Sequence, residues 1–138
     1  MNKDKLKVLV VDDSKTMLRI ITNSLIRIGI PKENIDTALD GIEAWDLLQN
    51  PHLDLIAGEE VQYDIIMTDW NMPNRNGLEL VKLIRKADQY KDTPIIMITT
   101  EGGKTSVIQA LKAGVNNYII KPFTPHVLQE KLKAILGK

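Results

Sequence analysis

Five polar side chains in this sequence stand at the ends of short apolar runs, where they could act together on a metal ion or a phosphate. Asp12 and Asp13 follow Lys7 to Val11, and Asp69 follows the run Asp64 to Thr68 (DIIMT). Thr99 closes IIMIT, and Lys121 follows Tyr118 to Ile120. Three carboxylates brought close together repel and raise one another's pKa unless a cation sits among them. Oxygen donors without cysteine or clustered histidine suit Mg²⁺, which takes few carboxylates and keeps several waters. A carboxylate can also be the nucleophile in phosphoryl transfer, giving an aspartyl phosphate. The arriving group then needs positive charge around it, from a metal and a lysine. Asp13 and Asp69 as metal ligands, Asp69 also as nucleophile, Lys121 as phosphate clamp and Thr99 as hydroxyl donor supply those parts. Each residue alone has a plain structural explanation. Paired aspartates before a helix cap it and favour its dipole, an aspartate in a turn is structural, and a lysine before proline is solvated. The chemistry rests on all five meeting in one place.

The elements that would bring them together are legible in the pattern. Lys7 to Val11, Asp64 to Thr68 and Pro94 to Thr99 are continuous β-branched runs, as in strands buried on both faces. Ile35 to Ala38 and Tyr118 to Ile120 are shorter strands. Between them, Ser14 or Asp13 caps a helix carrying Met17, Leu18, Ile20, Ile21, Leu25 and Ile28, which Gly29 stops. Asp40 opens a helix with Ile42, Ala44, Leu47 and Leu48. After the turn Met72 to Gly77 comes a helix with Leu78, Leu80, Val81, Leu83 and Ile84, and Lys104 to Ala113 is another, closed by Gly114. Thr124 with Pro125 starts the last, ended by Gly137. Five strands alternating with five helices predict a parallel sheet covered on both faces. In such sheets ligands bind beyond the carboxyl ends of the strands, which is where all five polar residues fall. The segment 50–62 either extends the second helix through Leu53, Leu55 and Ile56 or forms a surface loop.

Composition narrows the function classes. The 138 residues suit one domain with a single core, spanning 1–138. Basic and acidic residues balance at 18 each, without the basic excess of a nucleic-acid binder. Having no cysteine, the chain makes no disulfide and offers no thiolate. No run is long enough to cross a bilayer, and the apolar run before Asp12 is too short for a signal peptide, so a cytoplasmic location is expected.

With these blocks in place, VVDDS, TDWNMPNRNG, ITTEGG and NNYIIKPF, in this order, resemble the response-regulator receiver family over essentially the whole chain. The likeness is greatest to its chemotaxis (CheY-like) branch. It implies a flavodoxin-like doubly wound fold, five parallel strands in the order 2-1-3-4-5 with five flanking helices. It implies Asp69 as phosphoacceptor, Asp12 and Asp13 as the acidic pair with Asp12 outside the direct ligands, and the Asn71 backbone carbonyl as a further Mg²⁺ ligand. Thr99 and Tyr118 become the switch pair, Lys121 a phosphate contact followed by a cis bond to Pro122, and Asn71 and Glu101 the positions that tune phosphate lifetime. The phosphate would come from a histidine kinase, since neither His52 nor His126 looks like a donor, and a phosphatase would remove it. The protein would be no enzyme beyond its self-catalysed phosphorylation and dephosphorylation. Output would run through a face carrying Lys104, Val107, Leu111, Tyr118, Ile120, Phe123 and Lys131 to a flagellar motor switch protein, setting rotation direction, with the receiver a monomer. The stretch from Asp40 to Asp69 is roughly ten residues longer than the family norm, which chain entropy tolerates on a surface.

Other readings stay open at this point. The chain could be a phosphorelay carrier or a receiver of another pathway. It could be a haloacid-dehalogenase-type phosphatase, although that family has a second acid where Asn71 stands, or a flavodoxin-like binding module. Glu101-Gly102-Gly103-Lys104-Thr105 imitates a P-loop, but the required leading glycine position is Ile98, inside a strand. Nucleotide binding is therefore rejected.

Overall fold

The computed structural model describes residues 5–49, 52–54 and 59–136. The elements are β1 (Val8–Val11), α1 (Lys15–Arg27), β2 (Ile35–Ala38), α2 (Gly41–Gln49), β3 (His52–Asp54), β4 (Glu59–Val61), β5 (Ile65–Thr68), α3 (Gly77–Lys86), β6 (Ile95–Thr99), α4 (Lys104–Ala113), β7 (Asn117–Ile120) and α5 (Pro125–Leu136), with 3₁₀ turns at Lys32–Asn34 and Asp88–Tyr90. Five strands form a parallel sheet in the order β2-β1-β5-β6-β7. That is the order 2-1-3-4-5 once the separate β3–β4 pair is set aside.

The continuous apolar runs have the reason inferred from them. Alternate strand residues feed opposite faces of the sheet. Val8, Val10, Ile65, Met67, Ile96, Ile98 and Ile119 pack with Leu18, Ile21, Leu25, Leu128 and Leu132 from α1 and α5. Leu9, Val11, Ile66, Ile95 and Met97 pack with Ala44, Leu48, Leu80, Val81, Ile84 and Ala110 from α2, α3 and α4. Each fully buried aliphatic side chain contributes about 1.5–3 kcal/mol. Two cores on one sheet thus hold its carboxyl edge in register.

The helix ends follow the cap chemistry. Ser14, not Asp13, caps α1, its Oγ accepting from Met17 N at 3.2 Å. Asn76 and Glu79 make a reciprocal capping box on α3. Thr124 Oγ1 accepts from Val127 N at 3.2 Å at the start of α5, and Gly114 closes α4 at φ 119°. Gly137 lies outside the described residues.

The segment after α2 departs from both alternatives read in the sequence. It neither continues the helix nor stays a plain loop: β3 and β4 pair antiparallel, His52 opposite Val61 and Asp54 opposite Glu59. Leu53 stands in a strand, while Leu55 and Ile56 lie outside the described residues. The physical reason is in the sequence, where Pro51 disfavours helical backbone at the residue before it. No helix among the described residues is long and apolar enough to cross a membrane.

Candidate functional site

The five residues do converge. Asp12 leaves β1 hydrogen bonded through its backbone N to Ala38 O at 3.0 Å, and Asp69 leaves β5 bonded to Val11 O at 2.9 Å. Lys121 N donates to Thr99 O at 2.9 Å, continuing the sheet one rung past β7. Each of these ladders thus runs on to the polar residue just past its strand. Carboxylate oxygens of Asp12, Asp13 and Asp69 lie within 4.8 Å of one another, Asp12 and Asp69 buried and Asp13 exposed. Asp13 opens onto a cleft lined also by Asn71, Met72, Pro73 and Asn76.

Charge balance among these groups is set by Lys121. Its Nζ donates to Asp12 Oδ2 at 2.7 Å and to Asp69 Oδ2 at 3.0 Å. Burial works to lower the lysine's pKa, but the hydrogen bonds and charges of both carboxylates outweigh it and the pKa is raised. Burial is also the largest influence on Asp12. It lifts that carboxyl above its ordinary value, although Lys121 and the Ser14 N–H, which donates to Oδ1 at 2.9 Å, pull the other way. One cation among three carboxylates leaves a net negative pocket of oxygen donors, open at Asp13. That donor set fits a hard divalent cation such as Mg²⁺.

Asp69 is held at both carboxylate oxygens. Its Oδ1 accepts from Trp70 N at 2.6 Å and its Oδ2 faces Lys121. Thr68 Oγ1 donates to the Asp69 carbonyl at 2.9 Å. A Cβ on Gly77 would stand 1.9 Å from that same carbonyl, and Gly77 N donates to Trp70 O at 2.8 Å. Glycine is therefore required for α3 to approach the Asp69 backbone, a role that reading Asn76-Gly77 only as turn residues did not supply.

Thr99 and Tyr118 share one partner, Glu101. Thr99, fully buried, accepts through Oγ1 from Glu101 N at 3.3 Å. Tyr118, half-buried, donates its hydroxyl to the Glu101 carbonyl. Burial first, then the charges of Glu101 and Asp69, raise the Tyr118 pKa, so the phenol stays a donor. Asn71 Nδ2 donates to Glu101 Oε1 at 2.8 Å, which joins directly the two positions expected to tune phosphate lifetime. The Lys121–Pro122 bond is cis.

Residues 8–133 match the family model described as "Response regulator receiver domain". The chain belongs to the response-regulator receiver family. Two relatives tell where in it. A "Chemotaxis protein CheY homolog" of Campylobacter jejuni is 58% identical over 132 residues, covering 96% of this chain and 93% of its own. "Chemotaxis protein CheY1" of Helicobacter pylori is 57% identical, covering 96% and 98%. Among solved structures, the chemotaxis response regulator CheY4 of Vibrio cholerae superposes with a TM-score of 0.80 at 34% identity, covering 94% and 98%. This receiver is a phosphoacceptor regulator rather than a conventional enzyme, and the hydrolase and flavodoxin-module readings fall away. Receivers bind Mg²⁺ at an acidic cluster, and this receiver has one.

The residues of the expected output face differ in exposure. Lys104, Leu111 and Ile120 are exposed, whereas Val107, Tyr118, Phe123 and Lys131 are half-buried. Phe123 packs against the α1–α5 core. Ile108, one helical turn from Lys104 and Leu111 on α4, is 42% exposed and had not been singled out.

Proposed function

We propose that this receiver takes a phosphoryl group onto Asp69 from a histidine kinase and acts in chemotaxis by binding the flagellar motor switch. The observation that carries the chemistry is the meeting of Lys121 Nζ, Asp12 and Asp69 within 3.0 Å contacts at the sheet's carboxyl edge. Asp13, Asp69 and the Asn71 carbonyl would hold Mg²⁺, with Asp12 outside the direct ligands; bound there, the ion would neutralise charge on the transferring phosphoryl oxygens. An Asp69 carboxylate oxygen forms the new bond to phosphorus, while the bond to the kinase's imidazole nitrogen breaks and the nitrogen keeps that electron pair. Lys121 leaves the Asp69 oxygen it now holds for a phosphate oxygen. The Thr99 hydroxyl gives up the Glu101 N–H and donates to another, and Tyr118 moves inward into the space vacated.

Self-catalysed hydrolysis, tuned at Asn71 and Glu101, and a phosphatase would end the signal. The solved CheX–CheY–BeF₃–Mg²⁺ complex of Borrelia burgdorferi, whose CheY superposes with a TM-score of 0.81 at 28% identity, supports a partner of that kind. A monomeric single-domain receiver working in the cytoplasm is the form this reading takes.

Incubation with Mg²⁺ and acetyl phosphate, followed by mapping of the added mass, tests the chemistry. One phosphoryl group should appear on Asp69 and none on Asp69→Asn. Labelling elsewhere, or equal labelling of that variant, would remove Asp69 as the acceptor. For the output, an N-terminal peptide of the motor switch should bind more tightly to the beryllofluoride-treated protein, and equal affinities would point to another pathway or a phosphorelay.

A further inference from the structure

The loop that follows the nucleophile is fastened to an element outside the site. Asp40, immediately before α2, uses both carboxylate oxygens. Oδ1 accepts from Glu43 N at 2.8 Å, and Oδ2 accepts from Asn74 Nδ2 at 2.8 Å. Next to it, Gly41 N donates to Arg75 O at 3.0 Å, and a Cβ on Gly41 would stand 2.5 Å from that oxygen. Asn74 has φ 67°, a left-handed conformation that asparagine and glycine tolerate best. The loop's other end is closed by Gly77 N on Trp70 O. Between these fastenings lies Asn71, whose residue lines the cleft with Asp13.

A side-chain ligand can rotate to meet an ion, but a backbone carbonyl is aimed only by its loop. Mg²⁺ demands a near-ideal octahedron and pays for misplaced donors with affinity. Groups that orient ligands from outside typically change metal affinity by about 10–100-fold when removed. The Asp40–Asn74 pair is exposed, so its own share of stability is small. What it does is restrict the conformations open to residues 71–76.

We propose that Asp40 is a positioning residue for the divalent ion, fixing through Asn74 and Arg75 the loop that presents the Asn71 carbonyl. This rests on the reading of Asp13, Asp69 and Asn71 as the Mg²⁺ site.

Calorimetric Mg²⁺ titration of the wild type, Asp40→Ser, Asn74→Gly and the double variant tests it, with Asp13→Ala as the control that should not bind. Serine keeps a cap oxygen for Glu43 N but is too short to hold Asn74. Glycine keeps the left-handed backbone but has no amide to offer. Each single substitution should weaken Mg²⁺ binding about threefold to tenfold, with denaturant midpoints close to wild type for Asn74→Gly. The double should be no weaker than the weaker single, because one tether is lost once. Wild-type affinity in both singles, or additive losses in the double, overturns the positioning role while the metal site stands. A wild type that binds no Mg²⁺ overturns the site reading itself.

Discussion

At the scale of single residues, the site is a balance of like charges held by one lysine. Asp12 is 1% exposed and its strongest counterion is Lys121. Lys121→Met leaves Asp12 and Asp69 facing each other without a cation, a situation that costs about 3–5 kcal/mol when a buried pair is broken. Chemical denaturation should show a loss of that order in metal-free buffer and a smaller one in saturating Mg²⁺, since the ion replaces part of the missing charge. An equal loss in both buffers would mean that no divalent ion reaches these acids. Trp70, whose N–H holds Asp69 and whose ring packs against the core, reports the same site optically. Adding Mg²⁺ should change its emission, and Asp13→Ala should abolish the change; a retained response would exclude Asp13 as ligand. These residues were legible in the sequence because each sits one or two steps beyond an apolar run. Gly77 was not: only the packed backbone reveals a carbonyl 1.9 Å from a would-be Cβ. Gly77→Ala should cost more than the ~1–3 kcal/mol usual for overpacking and should slow Asp69 labelling, as backbone rather than a flexible side chain must move.

At the scale of elements, helix ends do two jobs here. Asp40 caps α2 and its carboxyl is held below the ordinary aspartate value, chiefly by the Glu43 N–H and then by Asn74. A depressed folded-state pKa adds stability above the unfolded pKa, and that share is lost as pH falls through the folded value. Asp40→Ala should therefore destabilise by about 1 kcal/mol near pH 7, and the gap from wild type should narrow steadily below about pH 4. A gap independent of pH would show that the charge takes no part in the cap. Arg85, at the end of α3, was not anticipated by any pattern. Its guanidinium donates to the carbonyls of Gly114, Tyr90 and Lys91 and to Asn116 Oδ1, at 2.8–3.0 Å. No helical periodicity announces such a contact, because its acceptors lie in the turn just after α3 and in the loop after α4, about thirty residues on. The strand and helix pattern itself was legible, since period and caps are local signals. The β3–β4 pair was not, because three-residue strands carry too little alternation to distinguish them from a loop or a helix end.

At the scale of the whole molecule, the carboxylates and the insertion's point of attachment fall at opposite ends of β5. The carboxylates stand past the carboxyl ends of β1 and β5, whereas β3 and β4 fall in the chain between the end of α2 and the start of β5. The chain is fastened on both sides of that excursion. Leu48 is fully buried, and Tyr63 is 3% exposed with its hydroxyl donating to Asp36 Oδ2 at 2.5 Å. Lys7 N donates to Asp64 Oδ2 at 2.9 Å, Asp64 N returns to Lys7 O at 2.7 Å, and the Lys7 ammonium lies 5.9 Å from the Tyr63 ring centroid. Register at β5, and so the position of Asp69, is set by these anchors and by the pairing of β5 with β1 and β6. The closure entropy of a surface excursion changes only slowly with its length. Replacing residues 50–61 by a short Gly-Ser linker should therefore leave the circular-dichroism spectrum, the Mg²⁺ affinity and the rate of Asp69 labelling at their wild-type values. If the spectrum survived but labelling or Mg²⁺ binding fell severalfold, the insertion would have to act through the sheet on the opposite end of β5, and the separation argued from the anchors would be wrong.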